Sequence, residues 1–296
     1  MQRTKTIKEG FGSRTFDVVN ALFMAFLMIV CFYPIWYVVM ASVSNSADVT
    51  RSGGIIFWPH SFNLGAYTQA LTHPLIASGF RNIFIILLLA LPLNIVMTLL
   101  CGYFMSAKNV MFKKYIVGFI MVTMFFSGGL IPSYLNMKSL GLYDNLWALI
   151  IPGALSVYNA IICKSAIDAI PESLFESARM DGATDFTILF KIVTPLIKPT
   201  LAVLLLYYGV GHWNSWFGAS IYIKDNTLLP IQNVLRAVLL ANTDTLSQGA
   251  SSDTVNNFAE SIKYAAIVLS TIPILCIYPF VQKYFVKGVM IGSVKG

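Results

Sequence analysis

Apolar residues in this chain come in long unbroken runs rather than in stripes. In IILLLALPLNIVMTLL, residues 85–100, every face of a helix would be apolar. A barrel strand would instead alternate over about ten residues, so a lipid-embedded or buried helix is the element this pattern predicts. Six runs reach the roughly 20 residues needed to cross the hydrocarbon layer: 16–40, 82–105, 115–134, 146–167, 195 or 199 to 221, and 264–285. The predicted fold class is all-α, a polytopic membrane protein with six transmembrane helices. The first run follows MQRTKTIKEGFGSR and has the look of a secretory signal, but signal cores span only about 7–15 residues. A retained anchor helix is expected there.

The intervening stretches are then a cytoplasmic N-terminus (1–15), an external loop (41–81), a cytoplasmic loop (106–114), an external loop (135–145), a cytoplasmic segment (168–194), an external loop (222–263) and a cytoplasmic tail (286–296). The loop at 222–263 is long and carries the polar low-complexity stretch ANTDTLSQGASSDTVNN, and loops of that length are usually functional or mobile. Prolines interrupt several spans, and Gly128-Gly129 followed by Pro132 marks the best place for a broken helix.

Composition agrees with a lipid environment. Of 296 residues 57% are hydrophobic and only 11% charged, where soluble domains carry about a quarter charge; the mean hydropathy is +0.72. With the N-terminus inside, fourteen of the twenty Lys and Arg fall on the inner face, among them Arg14, Lys108, Lys113, Lys164, Arg179, Lys191 and Lys198. Lys and Arg are enriched in short cytoplasmic loops, so both termini are expected in the cytoplasm. The net charge of +7 therefore reports topology and contact with anionic lipid, and nothing points to nucleic acid. Cys31, Cys101, Cys163 and Cys276 lie in apolar segments without metal-ligand spacing, as small core residues do.

Several function classes drop out. His60, His73 and His212 are scattered, with no HExxH and no paired carboxylates inside a span, which argues against a membrane enzyme; His212 reads as a structural hydrogen-bonding group. No GxxxxGK[ST] is present, so the chain does not itself cradle ATP. Proton- or sodium-coupled carriers keep ionisable groups at mid-membrane, whereas Asp17, Lys164, Asp168 and Lys198 sit near span ends. A secondary transporter, or a scaffold without transport, is the weaker reading, and the energy for transport is expected from another subunit.

The segment between the fourth and fifth runs combines charge with helical periodicity: IPESLFESARMDGATDFTILFKIVTP. Pro171 suits the first helical turn, and Glu172 complements the helix dipole at the N-terminus. Phe175, Ala178, Gly182, Phe186 and Leu189 recur on one face. Asp181-Gly182 can bend the chain, and Thr184 can cap a second short helix. Lying flat on an anionic leaflet is disfavoured by Glu172, Glu176, Asp181 and Asp185. A protein groove is the better acceptor for this bent peg.

These residues resemble the EAA signature of ABC importer permeases, E-A-A-x3-G-x9-I-x-L-P. It stands here as Glu176, Ser177, Ala178, Gly182, Ile192 and Pro195 with the spacing intact, departing at Ser177 and Thr194. The resemblance covers nearly the whole chain and narrows to the maltose-type carbohydrate importers, LplC/YtcP-like permeases among them, through SFNLGAYTQAL, FFSGGLIPSYLNMKSLGLYDNLWALIIPGA and GHWNSWFGASIYI. It implies the type I importer permease (MetI/MalG-like) fold, with a core at about residues 78–285, in a bacterial cytoplasmic membrane. It also implies a coupling helix with Glu176, Ser177, Ala178, Asp181, Gly182, Phe186, Ile192 and Pro195 at the ATPase interface. The partners implied are a second permease in a heterodimer, two ATPase subunits that hold ATP and Mg, and an extracellular sugar-binding lipoprotein. This chain itself would bind no cofactor or metal.

Sugars present apolar ring faces edged by hydroxyls, so a path for them should offer aromatics and neutral amides or hydroxyls. Asn94, Tyr134, Asn159, Tyr208, Trp213 and Asn214 are the candidates. An interfacial aromatic belt accounts for some of the aromatics equally well.

Overall fold

The structure is a computed structural model that describes residues 11–59, 61–108, 110–247, 262–277 and 279. Expectations for the first ten residues, for His60, for most of the low-complexity stretch and for the chain beyond 279 lie outside the described residues. The helices are α1 (Phe11–Ser42), α2 (Ser46–Arg51), α3 (Gly65–Thr72), α4 (Pro74–Ser106), α5 (Lys113–Phe125), α6 (Leu130–Ser139), α7 (Trp147–Ile150) and α8 (Val157–Asp168). They continue as α9 (Glu172–Met180), α10 (Asp185–Thr187), α11 (Thr194–Leu196), α12 (Lys198–Asn214), α13 (Phe217–Tyr222), α14 (Ile231–Ser247) and α15 (Ile262–Ile277). Among the described residues no strand forms beyond one isolated bridge between Ser44 and Phe62.

The chain divides into two compact units, one drawn from Met1–Ala70 and Ala241–Val268, the other from Leu71–Leu240 and Leu269–Gly296. In the first, α1 is apolar beyond its first turns, and its exposed Phe16, Leu22, Met28 and Ile29 have no packing partner among the described residues. Only its last turns are covered. Trp36 Nε1 donates to the Phe57 carbonyl at 3.0 Å and Tyr33 Oη to that of Gly54 at 3.2 Å, which folds the following loop back onto the helix. Ala41, Val49 and Ile56 form a small core beneath, with Tyr37 and Tyr264 meeting edge to face at 5.8 Å.

In the second unit α4, α8 and α12 pack together around Leu99, Cys163, Ile167, Leu201 and Leu204. The α4–α8 contact is close because position 102 is glycine: a Cβ there would stand 2.9 Å from Cys163 Sγ and 3.2 Å from the Lys164 amide nitrogen. Of the four cysteines, all free, only Cys163 is fully buried; Cys31 and Cys276 are exposed, so the core reading fails for them.

The apolar runs are not all continuous helices. Two, Gly12–Ser42 and Pro74–Ser106, are long and apolar enough to cross a membrane, and counting each bent pair as one span gives up to four among the described residues. The third run breaks by 112° between α5 and α6, where Gly129 adopts φ 87°, at the glycine pair singled out by sequence. The fourth is interrupted at residues 151–156, because Pro152 supplies no amide hydrogen and Ser156 turns extended to cap α8. The fifth ends at Asn214 rather than 221, since Ser215 is extended, and a bend of 86° joins it to the segment Asp185–Leu196. The second begins at Pro74 rather than 82, with the proline in the first turn where its missing donor costs nothing.

Candidate functional site

The segment after α8 folds as the bent peg. Pro171 precedes α9, Asp181 ends it, and Gly182 takes φ 76°, a left-handed turn that side chains rarely adopt. Thr184 Oγ1 then accepts from the Thr187 amide at 3.4 Å to start α10. A π-helix, Ile188–Val193, follows, and Thr194 Oγ1 donates to the Leu189 carbonyl at 2.7 Å, occupying an acceptor in this wide turn.

The apolar residues of the peg turn inward. Ala178, Ile188, Leu189 and Val193 are buried in the core with Phe175 and Ile192 against them. Phe186, expected on that face, is instead exposed, because the Gly182 turn resets the helical register between α9 and α10. The outer face carries Glu176, Ser177, Met180, Asp181, Gly182 and Phe186, all exposed, together with Pro195. Met180 is 89% and Phe186 68% exposed, large apolar groups interleaved with acids on a surface that nothing among the described residues covers.

Behind the peg lies a cavity of about 640 Å³ lined in part by Tyr103, Ser106, Lys108, Asp168, Glu172 and Arg179. Each cation around it has a carboxylate: Lys108 pairs with Glu172, Lys164 with Asp168, and Arg179 with Asp185 at 3.9 Å. Tyr103 Oη also donates to Asp185 at 2.9 Å. The end of α4 is thereby tied to both arms of the peg.

Toward the other end of α12 a second cavity, of about 500 Å³, opens beside the interruption between α7 and α8. The carbonyl of Gly153 accepts from Asn94 Nδ2 at 2.6 Å, and the amide of Ser156 donates to Tyr208 Oη at 2.9 Å. Backbone groups freed by the break are thus satisfied by α4 and α12, the condition for irregular backbone within a membrane. A carbonyl only accepts, so the Asn94 amide orientation is fixed. Its Oδ1 must then receive the 3.0 Å bond from His212, which places the ring proton on Nε2. Thr98 Oγ1 bonds Tyr208 Oη at 2.7 Å. Asn159 differs: it lines the cavity, is only 6% exposed, and its side-chain amide has no hydrogen-bond partner among the described residues.

Of the six path candidates, Asn159 and Tyr208 line this cavity and Asn94 stands directly behind its wall. Tyr134 meets Tyr143 edge to face at 5.7 Å on α6. Trp213 is buried against Phe80 and Phe84 at 6.5 and 6.0 Å, with its Nε1 unpartnered among the described residues. Asn214 is exposed at the end of α12. Ser156, Tyr207, Gly153 and His212 also line the cavity and were not among the candidates. The one available signal was Pro152-Gly153 inside an apolar run, a break whose backbone needs partners.

A helical peg at one end of the unit and a cavity of mixed polar and apolar lining beside a broken helix toward the other are the parts of a membrane transport component driven from outside its own chain. Residues 64–291 match the family model described as binding-protein-dependent transport system inner membrane component, and the chain belongs to that family. It is 36% identical to protein LplC of Bacillus subtilis (strain 168) over 299 residues, covering 100% of both chains. It is also 36% identical to the polygalacturonan/rhamnogalacturonan transport system permease protein YtcP of the same organism, covering 96% of this chain and 99% of that one. Among solved structures, a bacterial ABC transporter involved in the import of the acidic polysaccharide alginate matches at 30% identity with a TM-score of 0.85, over 95% of this chain and 100% of the other. The fold is accordingly the helical permease fold of these importers, a transport subunit and not an enzyme.

Proposed function

We propose that this chain is the translocating subunit of a carbohydrate importer and that the exposed face around Glu176, Asp181, Gly182 and Phe186 seats in an ATPase partner. The reading is carried by one observation: the apolar side of the peg is used up on the chain's own core, yet Met180 and Phe186 stay exposed between acids on the outer side. Ser177, Ala178, Ile192 and Pro195 complete the coupling segment, Ala178 and Ile192 by anchoring it. The relatives' names supply the substrate class, an oligosaccharide, and the cavity at Asn159 and Tyr208 supplies groups suited to it. A second permease completes the path, two ATPase subunits hold ATP and Mg, and an external binding lipoprotein delivers the sugar. The chain crosses the cytoplasmic membrane six times with both termini inside.

The test is reconstitution of the complete importer with Glu176→Lys or Gly182→Trp. Uptake should fall at least about tenfold, and stimulation of the ATPase by loaded binding protein should disappear, with the variant still inserted. Unchanged uptake in both variants removes the coupling role.

A further inference from the structure

We propose that the rim formed by α13, the 223–230 loop and the start of α14 binds the carboxylate of an anionic saccharide, with the Arg236 guanidinium as the group that reads it. The proposal deepens the carbohydrate reading and rests on it.

Charge is handled in opposite ways at the two ends of this unit. Around the cavity behind the peg every lysine and arginine has a carboxylate. At the rim the acids are engaged elsewhere. Asp144 Oδ1 accepts from the backbone amides of Lys224 and Asp225 at 2.8 and 2.9 Å. Asp225 Oδ1 accepts from the amide and hydroxyl of Thr227, both at 2.8 Å. Lys224 and Arg236 are left without an ion pair among the described residues.

Arg236 is also held in a chosen pose. Its Cζ lies 3.7 Å above the centroid of the Trp216 ring. Stacking fixes the guanidinium plane and leaves its edge N–H groups open to solvent, as a parallel pair of bonds to a carboxylate requires. The platform beneath is rigid. Asn233, only 7% exposed, donates from Nδ2 to the Trp216 carbonyl and to Ser220 Oγ, both at 2.9 Å, tying α14 to α13. Gly79 brings α4 against the same helix: a Cβ there would stand 3.0 Å from Ile231 Cα.

The ligand class follows from what flanks Trp216, the ring beneath this cation, along the chain. Ser215 and Gly218, on either side of Trp216, line the cavity that holds Asn159, Tyr207 and Tyr208. Its walls combine aliphatic side chains such as Ile86 and Leu149 with neutral hydroxyl, amide and aromatic groups, suited to ring faces and sugar hydroxyls. A ligand that uses both needs a polyhydroxylated ring and a carboxylate, the description of a uronate-containing oligosaccharide.

The experiment compares the complete reconstituted importer with its Arg236→Gln and Arg236→Lys variants, using a galacturonic acid trisaccharide and the methyl ester of the same trisaccharide. The half-saturating concentration of the acid should rise roughly tenfold or more in Arg236→Gln, as loss of a charge-assisted bond implies, with partial recovery in Arg236→Lys. For the ester it should be the same in all three proteins. An equal loss for acid and ester assigns Arg236 to docking the binding protein and overturns the proposal. Wild-type importer that takes up the ester or another neutral oligosaccharide but not the acid overturns it too, while leaving carbohydrate import standing. Wild type that imports no saccharide overturns both.

Discussion

Asn94 and Asn159 are the same residue type on facing helices, and their hydrogen bonding separates them. Asn94 is fully committed between Gly153 and His212, so Asn94→Ala should lower the thermal stability of the purified protein by about 1–3 kcal/mol through an orphaned buried carbonyl. Asn159 has an amide without a partner among the described residues, beside the cavity, so Asn159→Ala should leave the melting temperature nearly unchanged and raise the half-saturating sugar concentration about fivefold or more in uptake assays. Equal melting losses in both variants would end this distinction. Asp144 is a third case. The backbone amides of Asp225 and Lys224 hold its carboxyl below the usual carboxylate value. A folded value below the unfolded one means that the stabilisation is complete above the ordinary range and is lost as pH falls through the depressed value. Between about pH 5 and about pH 3 the parent should therefore lose more stability than Asp144→Asn, read by melting curves. Both asparagines were visible in the sequence as polar residues in apolar runs, but nothing there told the committed one from the free one. The distinction depends on where Pro152 breaks the neighbouring run, a tertiary fact.

At the scale of elements, the peg was the most legible part of the chain. Asp181-Gly182 and Thr184 each encode a local backbone preference and act where it places them, whereas Pro171, expected in the first helical turn, stands just before it with ψ 133°. Phe186 was assigned to the wrong face because its periodicity was counted straight through the Gly182 turn. The ties from α4 to the peg were not legible, since Lys108 and Glu172 are 64 residues apart in the chain. These exposed pairs contribute only about 0–1 kcal/mol each to stability, so their effect should appear in coupling rather than in folding. Lys108→Glu and Glu172→Lys should each reduce sugar taken up per ATP hydrolysed without a large change in melting, and the double swap should restore it. No recovery in the double variant would make the pair incidental.

At the scale of the whole molecule, composition and run length identified a helical membrane protein, but run length alone overstated how regular the spans are. Interruptions at Gly129, Pro152 and the extended Ser215 convert three expected single helices into jointed pairs. The expected topology is open to direct measurement with single cysteines in a background lacking the native four. A membrane-impermeant thiol reagent should reach residues 135–145 and 222–263 in intact cells, and 106–114 and 168–194 only after permeabilisation. The reverse pattern would overturn the orientation. The bare flank of α1 belongs to this scale as well: its apolar side chains need lipid or another subunit, so their neighbours in the assembly are absent from a single chain.

The wide turn at Ile188–Val193 has a consequence for insertions and deletions. A π turn holds one residue more than an α turn at nearly the same axial length. Removing one residue within it would let an ordinary ladder close with the peg at nearly its present rotation, whereas removing a second would take a residue from a regular ladder and swing the peg by about 100° around the axis of the following helix. Glu176 and Asp181 would then point to a different quarter of the compass. In this stretch the number of residues is itself an aiming device: uptake should survive the loss of one codon and fail on the loss of two, although both deletions spare every side chain of the docking face.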